Sequence, residues 1–569
     1  MKFSKQNTKK VKNDLGNINS VELAINKKIV NKIFNQSADL IEHQLKSDDE
    51  FILYYFEGLT DGIALKDNVI KPILENTSGS QKIFESNIIA AYTKEIWSWN
   101  EVIDCLLEGQ SVLFMKDHLG AMAINTKGWA ERAIQEPISE STIKGSHDGF
   151  VENASKNIGL IRRYIPSVEL KIKKINIGER AATSVFIIYL GDVANDTVIH
   201  EAESRIQNID TDTIIGIGEL SHYISDNTYT PFPQTLLSER PDVIASQILD
   251  GKVAILIDRS PSAMVVPINL AGFFNLPDDY SLHWFVASFL RLLRFLGFLI
   301  ATLLPAMYIA IVSFHFEVIP LDLYTSIAQS RVKVPFSPIM EAIIMEITLE
   351  MLREAGVRLP QPIGQTIGIV GGIVIGQAAV QAGIVSNIMV IIVSITAIAS
   401  FIIPNYDLSS SIRLIRFPMM FFAFLYGIVG IVCVVMVLVA HSVTLKSFGT
   451  PYTVPLSPFN LKDLKDTIIR FPTSMLTNRS STGRPKQSTK KERYIIKVIQ
   501  MMNSKMEYIT PLQYILGIHT IQTAAGILVL PSIIAGTAGT DGWISIILGW
   551  LCTNVIGILI IITMKKIQI

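Results

Sequence analysis

Cysteine is scarce in this 569-residue chain. Its three cysteines, Cys105, Cys433 and Cys552, lie far apart, and two of them fall in apolar runs. Such spacing gives neither a disulfide framework nor a zinc-ligand pattern. The nine histidines are scattered and form no metal-ligand motif with the cysteines. We therefore expect no metal and no redox pair.

An excess of one charge sign is also missing. The 50 basic residues equal the 50 acidic ones, so the net charge gives no reason to expect nucleic acid as a partner. Charged residues make up 18% of the chain against 49% hydrophobic residues, and the charges are unevenly spread. This distribution is typical of a soluble region joined to a membrane region.

Motifs of known catalytic chemistry are absent from the sequence. The short Gly-Ile-Gly stretch Gly216–Gly218 is not a dinucleotide fingerprint, and neither a phosphate loop nor a His-Glu-x-x-His zinc helix occurs. The sequence therefore predicts a protein that is not an enzyme and that holds no cofactor.

The lysine-rich start of the chain, MKFSKQNTKKVKND, has no apolar core behind it and is not a signal peptide. Residues 1–35 are predicted to be a basic tail that ends in a short helix. Such a tail either keeps the chain in solution or rests on an anionic leaflet. The first apolar run of membrane length follows residue 280, so the N-terminal half should stay cytoplasmic.

An internal repeat occupies the N-terminal half. The segments CLLEGQSVLFMKDHLGAMAI (Cys105–Ile124) and QILDGKVAILIDRSPSAMVV (Gln247–Val266) share one layout: a helix end, an acid-Gly turn, an apolar strand, a polar turn and a second strand. A further strand candidate precedes each, FILYYFEG and VFIIYLGD. We predict two related α/β subdomains, 36–150 and 151–284. The charges of the second copy are read as turn residues, with an active site as the alternative.

An α-helical, multi-pass membrane domain is predicted over 285–445. Arg291 and Arg294 precede Phe295–Phe314, which lacks charge and has the length of a spanning helix. Further apolar runs cover 362–383, 386–404 and 415–443. Four crossings, with 340–355 not crossing, would return the basic linker 446–505 to the cytoplasm, although Arg413 and Arg416 would then face outward.

One apolar run carries two rows of small or polar residues. Gly364, Gly368, Gly372 and Gly376 recur at four-residue spacing and predict a face for close helix packing. Roughly opposite lie Thr366, Gln377 and Gln381. This polar row favours either one wall of a polar passage, or glutamines that each bond to one neighbouring helix.

Three acids, Glu341, Glu346 and Glu350, fall close to these apolar runs. Arranged around a symmetric opening, they would attract cations. The alternative is an interfacial helix in which Glu346 or Glu350 pairs with Arg353. The residues alone leave both possibilities open.

Several blocks of sequence resemble the A subunit of spore germinant receptors, the GerA family. They are RAIQEPISESTIKGSHDGFVENASKNIGLIRRYI, KINIGERAATSVFIIYLGDVAN, FPQTLLSERPDVIASQILDGKVAILIDRSPSAMVVP and LPQPIGQTIGIVGGIVIGQAAVQAGIVSN. The resemblance implies a cytosolic region of two α/β subdomains followed by a membrane region in the spore inner membrane. It also implies a homo-oligomer, expected to be a pentamer, that opens as an ion channel when nutrient binds.

Partners follow from the same resemblance: a transporter-like B subunit, to which nutrient recognition is attributed, and a lipoprotein C subunit. A non-conducting scaffold that gathers these two subunits is the main alternative to a channel. A solute transporter is a third, disfavoured alternative.

The C-terminal residues 506–569 resemble a different protein, the start of the permease-like B subunit. The motif AAGILVLP (Ala524–Pro531) resembles the interrupted first helix of amino-acid permeases. The chain holds only about two such helices. We therefore expect a truncated fusion or a remnant, which by itself does not bind nutrient.

Overall fold

The computed structural model describes residues 16–35, 37–46, 50–75, 93–128, 140, 145–358, 372 and 374–490. The basic tail up to residue 15, most of the connection between the two subdomains, and the permease-like residues 506–569 lie outside these ranges.

The first subdomain is a five-stranded antiparallel sheet with helices. The strand order is β1-β2-β4-β5-β3. Alternate residues of β2 and β4 face opposite sides of the sheet, so two apolar clusters form, one on each face. Its helices are α1 (Leu23–Phe34), α2 (Gly62–Leu65), α3 (Lys71–Glu75) and α4 (Trp99–Leu107), with a π-helical turn at Lys66–Ile70; its strands are β1 (Leu40–Lys46), β2 (Glu50–Phe56), β3 (Thr93–Ile96), β4 (Ser111–Met115) and β5 (Ala121–Ile124).

The second subdomain repeats this arrangement. Its strand order, β6-β7-β9-β10-β8, corresponds strand for strand to that of the first sheet. Its helices are α5 (Ala154–Tyr164), α6 (Asp196–Gln207), α7 (Ile217–Ile224) and α8 (Pro241–Leu249); its strands are β6 (Leu170–Ile177), β7 (Thr183–Leu190), β8 (Leu236–Ser238), β9 (Val253–Ile257) and β10 (Ala263–Val266).

The sequence repeat has a matching backbone repeat. In both copies the acid-Gly turn places its glycine at positive φ, 86° at Gly109 and 90° at Gly251. The polar turn after the strand also has positive φ at equivalent positions, 60° at Asp117 and 69° at Arg259. Glycine adopts positive φ without a clash because it has no Cβ. Other residues adopt this conformation as single residues in turns. The predicted layout of helix end, turn and strand pair is therefore confirmed.

The two subdomains are joined by a buried ion pair and a close backbone contact. Arg162 of α5 donates to Asp39 and lies 4.1 Å above the Phe56 ring, and both charged side chains are buried. Beside this pair, the backbones of Gly58 and Gly159 touch. The joint is thus built from groups that leave little room for adjustment.

A run of long helices follows the second subdomain. A 3₁₀ turn at Leu270–Phe274 and α9 (Asp278–Ser281) lead into α10 (Trp284–Phe314). Phe274 packs against Phe295 and Phe298, with ring centroids 5.0 and 5.6 Å apart, so the core of the sheet continues into α10. The remaining helices are α11 (Leu321–Arg331), α12 (Pro338–Arg358), α13 (374–381), α14 (Asn387–Ile402) and α15 (Tyr406–Thr444).

The longest helix, α15, is a hairpin of two helices. Gly427 has φ 62° and ψ −139°, which interrupts the winding. A Cβ placed on Gly430 would lie 2.0 Å from the carbonyl oxygen of Phe422, eight residues earlier, so the chain folds back here. The apolar run 415–443 is predicted from the sequence to be one membrane span. That interpretation is wrong, because the backbone reverses at Gly427.

Contacts at both ends of α15 show where the hairpin lies. Gly427 abuts His315 at the far end of α10, away from the sheets. Leu408 packs in the core of the second subdomain, and His441 hydrogen-bonds Thr230 at 2.8 Å. Within the described residues, α10, α12, α13, α14 and both halves of α15 share one apolar cluster, and the two halves of α15 run in opposite directions.

The segment after α15 returns to the second subdomain. A small hairpin of β11 (Lys446–Ser447) and β12 (Thr450–Pro451) is followed by α16 (Leu461–Leu464) and 3₁₀ turns at Thr473–Met475 and Ser481–Gly483. Ser447 accepts from Ile268 and donates to Gln234, and Lys486 pairs with Asp196 at 2.7 Å. Up to Lys490 this part differs from the predicted basic linker, because Arg470, Arg479, Lys486 and Lys490 meet acids and carbonyls of the second subdomain. The two subdomains together are called the sheet domain.

We expect Gly58→Ala to destabilise the joint between the subdomains. The new Cβ would lie 2.2 Å from the carbonyl oxygen of Ser155, and backbone atoms cannot give way as a flexible side chain can. Overpacking of this kind costs about 1–3 kcal/mol. Gly62→Ala is the control, since nothing lies within 4 Å of that position. Equal apparent Tm values for the two variants would contradict a tight joint.

Candidate functional site

A layer of charged side chains crosses the apolar helices. Glu346 of α12 pairs with Arg416 of α15, and both side chains are almost fully buried. Arg416 also donates through Nε to the carbonyl oxygen of Ala301 in α10, at 2.8 Å. One ion pair thus ties three helices together. Removing either partner would leave an uncompensated buried charge.

The layer continues toward the sheet domain. Glu350 lies 3.7 Å from Arg353 and 3.6 Å from Arg413, and about a third of its side chain is exposed. Arg353 donates to Ser400 of α14 at 3.1 Å and lies 4.7 Å above the Phe401 ring. The pairing of Glu350 with Arg353 that the sequence offered as an alternative is present. Glu346, however, pairs with Arg416 instead of Arg353.

The third acid, Glu341, lies near the far end of the helices. It is fully buried, is 3.3 Å from Arg331 of α11, and accepts from the backbone N–H of Ser386 at 2.8 Å. It therefore holds the start of α14 and the end of α11 against α12. In the single chain Glu341 and Glu346 serve packing, and a pore-lining role for the three acids stays a prediction.

The glycine and glutamine rows are described only in part. Gly364, Gly368 and Thr366 lie outside the described residues. Gly376 is buried, and a Cβ there would meet Val390 of α14 at 3.7 Å, whereas Gly372 is exposed. Gln377 and Gln381 are both exposed in the single chain. Helix α13 thus packs through Gly376 and turns two amides outward.

A second charged cluster joins the sheet domain to α10. Asp279 is completely buried and accepts from Arg294 at 2.8 Å and 2.9 Å and from Arg291 at 2.8 Å. Arg291 also donates to Asp466, at 2.8 Å, in the segment that follows α15. The cluster therefore fixes the first turns of α10 to both the chain before it and the chain after the helices.

The pKa of Asp279 follows from these contacts. Burial alone raises the pKa of a carboxyl group, but the hydrogen bonds from Arg294 and Arg291 and their charges outweigh it. The pKa of Asp279 therefore lies below its ordinary value, and the group is ionised at neutral pH.

The charged turn of the second repeat, 238–267, has a structural role. Arg240 is buried and donates to Asp242 at 2.7 Å, while Asp258 accepts from the backbone N–H of Ala154 at 3.2 Å. The N–H of Arg259 donates to the carbonyl of Glu152 at 2.8 Å. These contacts hold the start of α5 against the second sheet.

Features typical of catalysis or metal binding are few in the described part. Over these residues no group of three or more His, Cys, Asp or Glu side chains is placed to hold a metal ion. Burial raises the pKa of the Cys105 thiol to about 11, so this sulfur stays protonated at neutral pH.

Sequence reasoning missed three elements of this arrangement: the pairing of Arg416 with Glu346, the turn at Gly427, and the cluster around Asp279. One signal for the pairing of Arg416 was present in the sequence. Arg413 and Arg416 conflicted with a four-crossing layout, because arginines favour the cytoplasmic side. Both lie in the first half of α15, before the turn at Gly427, where Arg413 is 3.6 Å from Glu350 and Arg416 pairs with Glu346.

Comparisons with known proteins find a matching family for each of two parts of the chain. Residues 28–482 match the family described as Bacillus/Clostridium GerA spore germination protein, and residues 508–569 match one described as Spore germination protein, of the spore permease type. The first match covers most of the chain. The chain belongs to the GerA family. The resemblance expected from the sequence is therefore confirmed, including its permease-like C-terminal part.

Several relatives of this GerA-family chain are named spore germination proteins. It is 37% identical to spore germination protein B1 of Bacillus subtilis over 82% of the chain and 98% of that protein. It is 37% identical to spore germination protein GerLA of Bacillus cereus, over 76% and 89% respectively. It is also 40% identical to an uncharacterized membrane protein, YfkQ, of Bacillus subtilis, over 77% and 87%. None of these names denotes an enzyme, and the chain is a germinant receptor subunit of the A type.

One solved structure is similar in part. The N-terminal domain of the A subunit of the Bacillus megaterium spore germinant receptor GerK3 shares 24% identity over 44% of this chain and 96% of that one, with a TM-score of 0.35. At that score the likeness carries no argument about this chain.

We expect Arg416→Ala to destabilise the helices by about 3–5 kcal/mol, because Glu346 would be left buried and unpaired. Replacing both residues, Arg416→Met with Glu346→Leu, should recover much of that loss. The matched control is Glu354→Ala, which breaks an exposed pair with Arg358 on the same helix and should change stability little. Apparent Tm in detergent measures all three, and a double variant as unstable as Arg416→Ala would contradict the pairing.

Asp279→Asn should lower stability at neutral pH, since the buried guanidinium groups of Arg291 and Arg294 lose the negative charge that they pair with. A carboxyl whose folded pKa is depressed stabilises the fold above its unfolded pKa, and loses that contribution as pH falls through the folded value. The Tm difference between wild type and Asp279→Asn should therefore shrink below about pH 4. A difference that stays constant from pH 7 to pH 3 would show that the charge of Asp279 is not involved.

Proposed function

We propose that several copies of this chain form an ion channel across the spore inner membrane, and that nutrient binding to the receptor opens it. The supporting observation is the exposure of Gln377 and Gln381 on α13. An amide exposed to lipid is costly at membrane depth, and the cost disappears if the helix faces other copies or water. Cations are the proposed ions, since the Glu350 side chain stays about one third exposed.

The proposed membrane layout has six crossings. Two described helices, Trp284–Phe314 and Tyr406–Thr444, are long and apolar enough to span a bilayer, and the second is a hairpin. Together with α12, α13 and α14, which lie alongside them, these helices make six crossings. Because six is even, Lys446 returns to the side of the membrane on which α10 begins. The sequence-based count of four is replaced, because 415–443 contributes two segments and α12 lies among the others with its acids paired.

The proposed assembly includes the receptor's permease-like B subunit and its lipoprotein C subunit. Nutrient bound by a partner can shift the channel only if its affinity differs between the closed and open states. The sheet domain is the proposed carrier of that difference, because the Asp279 cluster fixes it to the first turns of α10. A non-conducting scaffold for the B and C subunits is the alternative, and the closely paired interior of the single chain fits it.

The test is cation release from spores that carry this receptor as their only one. We expect Gln377→Leu together with Gln381→Leu to alter the rate of monovalent cation release after nutrient addition, because the amides would no longer line the passage. Gln329→Leu, on the exposed short helix α11, is the control. Copurification of the partner subunits shows that each variant assembles.

Unchanged release from the double variant, with normal assembly, would remove Gln377 and Gln381 from the pore. Failure of assembled wild-type receptor to release cations at all would favour the scaffold. Cysteines introduced at Gln377 should also cross-link neighbouring copies, as a helix facing other copies requires.

A further inference from the structure

The segment 456–475, which we call the interfacial loop, is held against the first turns of α10. The backbone N–H of Arg470 donates to Ser288 Oγ at 3.1 Å, and Ser288 Oγ donates to the carbonyl of Arg470 at 2.9 Å. Arg470 Nη1 donates to the carbonyl of Leu282 at 3.0 Å, and Arg291 reaches Asp466 at 2.8 Å. The loop is thus fixed at the level of residues 282–291.

This loop exposes large apolar side chains although its backbone is well anchored. Between about a third and two thirds of each of these side chains is exposed: Leu456 52%, Phe459 69%, Ile469 50%, Phe471 36% and Met475 56%. A soluble surface rarely gathers so many on so short a stretch. The exposure indicates a partner surface.

The helix beside the loop has the character of a membrane interface. Trp284, Phe285 and Phe289 are exposed on the first turns of α10, just before the uncharged run that starts at Phe295. Aromatic side chains are enriched where a spanning helix passes the headgroups. Because Ser288 contacts Arg470 directly, the chain neighbours of Arg470, Ile469 and Phe471, lie at this same level.

The charges of the loop favour an anionic partner. Its two acids are engaged within the protein: Asp463 accepts from the backbone of Ser481 at 3.1 Å, and Asp466 accepts from Tyr280 at 2.8 Å as well as from Arg291. Lys465 is exposed on the loop. The free surface therefore combines apolar side chains with a cation, the combination that binds anionic phospholipid.

We propose that the interfacial loop lies in the headgroup layer of the cytoplasmic leaflet, with Ile469 and Phe471 inserted toward the acyl chains and Lys465 on lipid phosphates. The loop then anchors the sheet domain to the bilayer at a second point beside α10. The proposal rests on the membrane crossing of α10 and not on the pore.

The test uses the full chain in vesicles of phosphatidylglycerol that contain nitroxide-labelled lipids. Cys105, Cys433 and Cys552 are replaced by serine, and one fluorescent label is attached in turn to Ile469→Cys, Phe471→Cys, Ile215→Cys and Leu299→Cys. Ile215 is exposed in the second subdomain, and a label there reports solvent. Leu299 is exposed in the middle of α10, and a label there reports the bilayer. We expect quenching at 469 and 471 to exceed that at 215 several-fold.

Quenching at 469 and 471 equal to that at 215, with strong quenching at 299, overturns the lipid anchor. Weak quenching at 299 would instead refute the crossing of α10, and with it the proposed channel. In the anchored case, Lys465→Gln should reduce quenching at 469, and Lys174→Gln, on an exposed strand position of the sheet domain, should leave it unchanged.

Discussion

The pairing of charge inside an apolar helical layer is the constraint on which this molecule depends. The side chains of Glu346 and Arg416 are buried away from solvent, and each charge is tolerated only because the opposite charge is present. Their contact fixes the neighbours: α12 must lie beside α15, and α10 must present the carbonyl of Ala301 to Arg416. The order of the helices follows largely from where these charges can be neutralised.

The same constraint reappears where the helices meet the sheets. Asp279, Arg291 and Arg294 form a buried cluster whose third side is closed by Asp466, more than 170 residues later in the chain. The cluster makes the start of α10, the end of the second subdomain and the returning segment one unit. Movement of the sheet domain relative to the helices would have to carry α10 with it.

Local patterns sufficed to predict three of the five strands in each sheet, but neither the remaining strands nor the contacts between helices. The repeat was readable because Gly109 and Gly251 mark equivalent turns and the strands beside them are continuously apolar. The partner of Glu346 was not predictable from the sequence. Arg353 is closer to Glu346 in sequence than Arg416 is, and only the fold brings Arg416 next to Glu346. Gly427 was also missed, because a glycine within an apolar run usually stays helical and only tertiary contacts show that it turns. The glutamine row was found, and its role remains a proposal.

The reversal at Gly427 has a mechanical consequence. The last helix returns to Thr230, and the first helix starts beside Phe274. The sheet domain therefore contacts the helical bundle at both its first and its last segment. A small rotation of that domain would therefore act directly on α10 and on the ends of α14 and α15 that pack in the core of the second subdomain, and through them on α12 and α13.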